Sequence, residues 1–329
     1  LPLVVAMAAI PWLGCAAPLE PETSEPGAGG GGASGNASQA SGGPGSSGMP
    51  TSSGTGGGTN GTSGSGGVPD GVFWLEDWEG TGEEVAARWP DTSCPNPSAW
   101  PDNDPLGKNS SPARASSPTY DGQKSLQYHF TGLQPEHGGC AAGRHFPGAD
   151  EIWMRWYEYW GAGMTTAGGD PAQGGIGGAG TKRHYMYDPN GEHGHVFVYI
   201  GGSRQIAFVV QSVFDATEGW GTYNLAQNAT PFSMPDDQWI CYEARLKYNT
   251  PGMADGVYEG FATNMTAGTP SVQFASYTDR QWRGTSPDDP TPSTASWGTW
   301  TVYTQDGLGD IYDDGYAVGT SRIGCGPPG

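Results

Sequence analysis

The sequence predicts an all-β sandwich behind an unstructured N-terminal tether. Short runs rich in Trp, Tyr, Phe, Val and Ile recur between Gly, Pro, Asp and Asn clusters throughout Val68 to Gly329, the pattern of strands joined by turns. No long segment there has helical periodicity. Before it, Pro18 to Gly67 is almost entirely Gly, Ser, Thr, Ala and Pro.

The chain opens on an apolar run, Leu1 to Leu13, followed by Gly14, Cys15, Ala16 and Ala17. This reads as an export signal, too short for the roughly 20 residues of a membrane span. Leu13-Gly14-Cys15 resembles the lipobox of bacterial lipoproteins, with Trp12 where that family usually has Leu. The resemblance implies lipidation of Cys15, a membrane partner through that anchor and an outer-membrane or cell-surface location. Ordinary secretion is the other reading of residues 1–17.

Residues 18–67 cannot bury enough apolar surface to offset the entropy of ordering. A flexible tether of about 50 residues reaches roughly 40 Å by random-coil scaling. Tethers of this kind resemble those of myxobacterial surface proteins.

Residues 68–329 fit one large β domain. The formal charge of the chain is −20, and the tether holds only Glu20, Glu22 and Glu25, leaving 31 acidic against 14 basic residues in the domain. So acidic a surface excludes nucleic acid as a partner.

Besides Cys15 there are Cys94, Cys140, Cys241 and Cys325, an even number in an exported chain, which reads as two disulfides. Three pairings are open. Cys94–Cys140 and Cys241–Cys325 are favoured, the second because it ties the last strand to a sheet. No close Cys-x-x-Cys spacing supports zinc instead.

The expected strands are Gly71–Glu79, Ser125–Thr131, Ile152–Gly161, Arg183–Tyr187, His195–Ile200, Gln205–Phe214, Trp239–Tyr248, Gly256–Thr263, Trp297–Thr304 and Tyr312–Ile323. Successive side chains on a strand point to opposite faces. Ile152, Met154, Trp156, Glu158 and Trp160 form one set, expected in the core; Trp153, Arg155, Tyr157 and Tyr159 form the other. Likewise Val196, Val198 and Ile200 are expected inside and His195, Phe197 and Tyr199 outside, while Glu243, Arg245 and Lys247 share the outer side of their strand. Together Arg155, Tyr157, Tyr159, His195, Phe197, Tyr199, Glu243 and Arg245 predict a polar-aromatic concave face. Such a face suits sugars, whose C–H groups stack on rings while hydroxyls need donors and acceptors.

The stretch from Trp239 through Glu243 to Asn249-Thr250-Pro251-Gly252, then Asp255-Gly256 and a strand of bulky residues, resembles concanavalin A-like jelly rolls. So do the closing Asp310–Gly324 and the early Trp153-Met154-Arg155-Trp156-Tyr157. The resemblance covers most of Gly71–Gly324 and implies a jelly-roll β-sandwich. That superfamily holds binding modules, hydrolases and lyases, and the fold does not choose among them. The acidic strand of laminarinase-like hydrolases is absent, as are the strand motifs of one alginate-lyase family.

A looser similarity is to glucuronan- and alginate-type lyases that place a Lys after a Gly-rich loop. Here Gly174–Gly180 precedes Thr181-Lys182-Arg183-His184-Tyr185-Met186-Tyr187. β-Elimination on a uronic acid needs a cation for the carboxylate, a base for the C5 proton and an acid for the leaving oxygen. Lys182 or Arg155 would neutralise; His184, His195 or a Tyr such as Tyr157 would move protons. The expectation is therefore polysaccharide binding first, polysaccharide lyase second, and a structural or adhesive surface protein third. No cofactor is required. Acidic residues near both domain ends, Glu76, Glu79 and Asp313 foremost, predict a structural calcium site if first and last strands pair.

Overall fold

A computed structural model of the chain describes residues 71–92, 112–131, 141–166, 181–188, 194–200, 204–211, 223–224, 230, 232–286, 293–294, 296–303 and 307–326. Strands are numbered in chain order. One antiparallel sheet, sheet I, runs β14 (Val272–Arg280), β13 (Gly256–Asn264), β12 (Trp239–Lys247), β6 (Glu151–Trp160), β16 (Gly307–Gly319), β4 (Ser125–Thr131) and β3 (Pro112–Ala115). Strand β16 takes β6 on one side; on the other it takes β4 along its first half and β1 (Val72–Glu76) along its second. The short β7 (Thr165–Thr166) pairs its start. Sheet II runs β11 (Tyr223–Asn224), β10 (Gln205–Gln211), β9 (Gly194–Ile200), β8 (Thr181–Tyr187), β15 (Trp297–Tyr303), β5 (Ala141–Ala149) and β2 (Asp91–Thr92). The domain is thus an all-β jelly-roll sandwich.

The inner face of sheet I is the alternating set expected on β6: Ile152, Met154, Trp156, Glu158 and Trp160 are all buried. Cross-strand register aligns them with Leu246, Ala244, Tyr242 and Ile240 of β12, and residues opposite each other share a face. From sheet II, Ala142, Met186, Ile206 and Trp297 join the same core. Tyr248, just after β12, stacks on Trp297 at 4.0 Å between centroids.

Six of the described strands were not legible in the sequence: the short β2, β3, β7 and β11, and the nine-residue β5 and β14. Ala141–Ala149 carries three breakers, Gly143, Pro147 and Gly148, and little apolar bulk, and Val272–Arg280 does not alternate regularly because its pairing with β13 is bulged. One short helix, α1 (Gly82–Arg88), follows β1. Its Thr81 and Glu84 form a capping box, satisfying amide donors that the first turn leaves open.

The core also holds charge. Glu158 and Asp313 lie directly opposite each other on β6 and β16, and both are fully buried. Like charges in that position repel. The counter-charge comes from sheet II: a bulge in β8 between Lys182 and His184 lets two consecutive residues, Arg183 and His184, turn inward. Arg183 Nη2 donates to Asp313 Oδ2 at 2.5 Å, and its Nε lies 3.4 Å from Glu158 Oε1. Burial works against the guanidinium charge, but Asp313 and Glu158 hold it ionised.

Replacing Arg183 by Met leaves two buried carboxylates uncompensated, and breaking a buried pair from one side costs about 3–5 kcal/mol. Urea denaturation should show a loss of that size; a change under about 1 kcal/mol would mean the carboxylates are neutralised by another group.

Candidate functional site

The outer face of sheet I gathers residues in register rows. Arg245 of β12 lies opposite both Glu259 and Trp153; Glu243 lies opposite Phe261 and Arg155; Trp239 opposes Tyr159, which opposes Tyr312. On the far strand Gln127 opposes Tyr312 and His129 opposes Asp310. Five residues expected on a polar-aromatic face, Arg155, Tyr157, Tyr159, Glu243 and Arg245, therefore lie together.

The middle of this face is covered. After β16 the chain crosses back over it, and Cys325 bonds to Cys241 of β12, one of the two expected disulfides; Cys94 and Cys140 lie outside the described residues. Arg322 donates through Nη2 and Nε to Glu243 Oε2 at 2.8 and 3.1 Å, and the Gly324 amide donates to Glu243 Oε1 at 2.8 Å. Tyr120 stacks on Tyr157 at 3.9 Å, and both hydroxyls donate to the Gly326 carbonyl. Tyr157 and Glu243 are consequently buried, which corrects the expectation that they line an open face. Their strand positions point out of the sandwich, but a strap of chain lies on top.

The same covering requires a glycine. Gly315 has φ +52°, and a Cβ there would meet the Tyr157 ring at 2.8 Å. Its carbonyl accepts from Arg155 Nη2 and Nε at 3.2 and 3.3 Å. Among the described residues Arg155 has no carboxylate partner.

Two ends of the face stay partly open. At one, Trp153 and Phe261 stack at 6.3 Å, with the Arg322 guanidinium 4.4 Å from the Phe261 centroid and that of Arg245 5.9 Å from the Trp153 centroid. Arg245 is paired with Glu151 and Glu259. At the other, Tyr159 lies 5.4 Å from Trp239 and 5.8 Å from Tyr312. Asp310 Oδ1 contacts His129 Nδ1 at 2.8 Å and accepts from Gln127 Nε2 at 3.0 Å. Tyr159 donates to Asp237 at 3.0 Å. Burial, aided by Asp310, pushes the Tyr312 hydroxyl up to about 12, and burial with the Asp237 hydrogen bond raises Tyr159, so both remain donors at neutral pH. Neither end was read from the sequence as a whole. The available clues were the period-two pairs Gln127/His129 and Asp310/Tyr312, whose meaning depends on β4 and β16 being neighbours.

The remaining candidates do not join this face. His195, Phe197 and Tyr199 sit on β9, in sheet II. Register pairs Met186 with His195, His184 with Phe197 and Ile206 with Tyr199, so β9 places these three positions in a different sheet from Arg155, Tyr157 and Tyr159. Lys182 is also on sheet II, and His184 is buried between the sheets with Nε2 3.2 Å from Glu158 Oε2. Burial pulls His184 down to about 3. The set Lys182, His184, Tyr157 and Arg155 is thus divided between sheets. Gly174–Gly180 lies outside the described residues.

The expected calcium ligands are not assembled either. First and last strands do pair, but Glu76 falls opposite Tyr316, three residues along from Asp313. Glu76 is taken up by Arg88, Trp89 and the Trp78 amide, Glu79 accepts from the Gln123 and Lys124 amides, and Asp313 is held by Arg183. Among the described residues the group with metal-ligand spacing is Glu158, His184 and Asp313, whose ligand atoms lie within 4.8 Å of one another.

No protein-family model and no curated protein matches the chain. Solved structures do. A PL-14 alginate lyase from Aplysia kurodai aligns over 76% of this chain and 99% of its own, with a TM-score of 0.53 and 10% identity. An endo-β-1,4-glucuronan lyase from the fungus Trichoderma reesei aligns over 65% and 89%, at 0.44 and 9%. The alginate lyase vAL-1 from a Chlorella virus aligns over 64% and 90%, at 0.42 and 14%. The first of these likenesses establishes a shared fold.

Replacing Cys325 by Ser releases the strap. Because the bond closes 84 residues of sequence, the variant should lose about 2–5 kcal/mol and expose Tyr157 to solvent. Denaturation and tyrosine nitration read the two effects; an unchanged midpoint with Tyr157 still protected would mean that the hydrogen bonds to Glu243 and to the Gly326 carbonyl hold the strap without the disulfide.

Proposed function

We propose that this domain binds a polysaccharide along the outer face of sheet I, presented at the cell surface by an exported, lipid-anchored and tethered chain. The carrying observation is the pair of partly open aromatic platforms, Trp153 with Phe261 and Tyr159 with Tyr312, on one sheet and each edged by hydrogen-bonding side chains. Sugar C–H groups stack on such rings, and the polar groups beside them meet the hydroxyls. Arg155, lacking a carboxylate partner among the described residues, gives the face a cation for an acidic sugar.

A lyase acting on a uronic-acid polymer is the second reading, favoured by the fold shared with an alginate lyase and by the accessible His129, Asp310 and Tyr312. Distance places it second. In a uronic acid the carboxylate is bonded to C5, so the cation that neutralises it and the base that takes the C5 proton must serve one sugar ring. Asp310, the cross-strand neighbour of His129, lies one register step beyond the Ile311–Trp160 pair. At about 3.3 Å per residue, Arg155 and His129 are then separated by roughly 20 Å. They cannot act on the same sugar. A lyase would have to recruit its cation elsewhere, Lys182 being the candidate named by the sequence.

A panel of neutral and uronic-acid polysaccharides, scored for binding and for the ultraviolet absorbance of an unsaturated product, tests both readings. Trp153→Ala and Tyr159→Ala should each weaken binding roughly tenfold, since an aromatic contact contributes about 0.5–1.5 kcal/mol beyond area. Affinity unchanged in both variants would remove this face from the site, and no binding across the panel would favour an adhesive role. A new absorbance lost in Lys182→Ala would promote the lyase reading.

The tether is part of the proposal. Limited proteolysis should remove residues before about Val68 and leave a folded domain; protection of residues 27–67 would contradict it.

A further inference from the structure

The buried group between the sheets is more than an ion pair. Glu158 and Asp313 bring two carboxylates, and Arg183 brings one guanidinium, all fully buried. Its polar atoms are also incompletely used. Glu158 Oε1 accepts from Trp160 Nε1 at 2.6 Å, which leaves Oε2 facing His184 Nε2. Arg183 occupies Asp313 Oδ2, and Asp313 Oδ1 makes no hydrogen bond of normal geometry among the described residues, although the Tyr316 hydroxyl stands beside the same carboxylate. The hydroxyl of Tyr128, a fully buried residue whose ring packs under the Arg183 guanidinium at 5.3 Å, is likewise unpartnered. Across β4 and β16 Tyr128 is the diagonal neighbour of Asp313 on the same face of the sheet. Buried polar atoms left without partners cost about 1–3 kcal/mol each, so two around one carboxylate point to a missing ligand.

We propose that Glu158 Oε2, His184 Nε2 and Asp313 Oδ1 bind a divalent transition-metal ion, with zinc the occupant best suited to one imidazole and two carboxylates. The groups already in place act as the outer support that such ligands need: Trp160 orients Glu158, and Arg183 orients Asp313. Glu158 and Asp313 come from sheet I and His184 from sheet II, so the ion fastens one sheet to the other. Its role is structural, because the group is closed to solvent and lies on the side of sheet I opposite to the proposed binding face.

The full chain, stripped with a chelator and titrated with Zn²⁺ alone, should take up one equivalent per chain. At a hundredfold excess over Kd the melting temperature should rise by roughly 5–10 °C. His184→Gln and Asp313→Asn, which keep every cysteine, should lose both effects. If neither variant folds, a Co²⁺-loaded wild type decides: d–d bands without thiolate charge transfer support this site, and a thiolate band places the metal at cysteines and overturns it. Absence of uptake with an unmoved melting temperature, or uptake persisting in both folded variants, would also overturn it.

Discussion

The placement of Arg183 between Glu158 and Asp313 is the constraint on which the sandwich depends. Two carboxylates stand side by side on the inner face of sheet I, where neither water nor distance can screen them. Only a cation delivered from the opposing sheet makes that arrangement tolerable, and the β8 bulge delivers it. A regular strand would send one of Arg183 and His184 outward. The sheets are therefore matched by charge as well as by apolar packing, so sliding one over the other would leave charges unpaired.

The outer face of sheet I is governed by a second constraint, the returning chain after β16. Its attachment is layered: a disulfide to Cys241, charge-assisted hydrogen bonds to Glu243, and tyrosine hydroxyls on the Gly326 carbonyl. These contacts bury the centre of a face that alternation marks as solvent-directed, and its aromatic ends stay partly open. The strap lies between the two platforms, whose spacing is set by the position of Trp153 and Tyr159 along β6. Any extended ligand on this face must pass over or beside the strap, which favours a chain molecule with repeated contacts over a single small one.

The shared fold limits what can be said of activity. A jelly roll carries binding modules and enzymes alike, and at about a tenth identity the likeness to a lyase brings no residue roles with it. The geometry discriminates better than the fold does. Groups able to move protons cluster at the His129 end, while the cation without a carboxylate partner lies at the Arg155 end, and strand length separates them. This separation suits recognition of several sugar units more readily than chemistry on one.

Much of this molecule follows from the sequence alone. Composition marks residues 18–67 as unable to build a core, cysteine parity and position suggest the Cys241–Cys325 bond, and alternation along Ile152–Trp160 separates the inner set from the outer one, because strand geometry fixes which side chains share a face. Alternation is silent on which sheet a strand joins and on which strands become its neighbours. Those facts are decided by pairings between residues far apart in the chain: β6 with β16, β8 with β9, Cys241 beneath the returning strap. Hence Lys182 and Arg155, which a linear reading brings into one site, belong to different sheets. Glu158 and Asp313, more than 150 residues apart in sequence, meet in the core because only the folded register makes them neighbours.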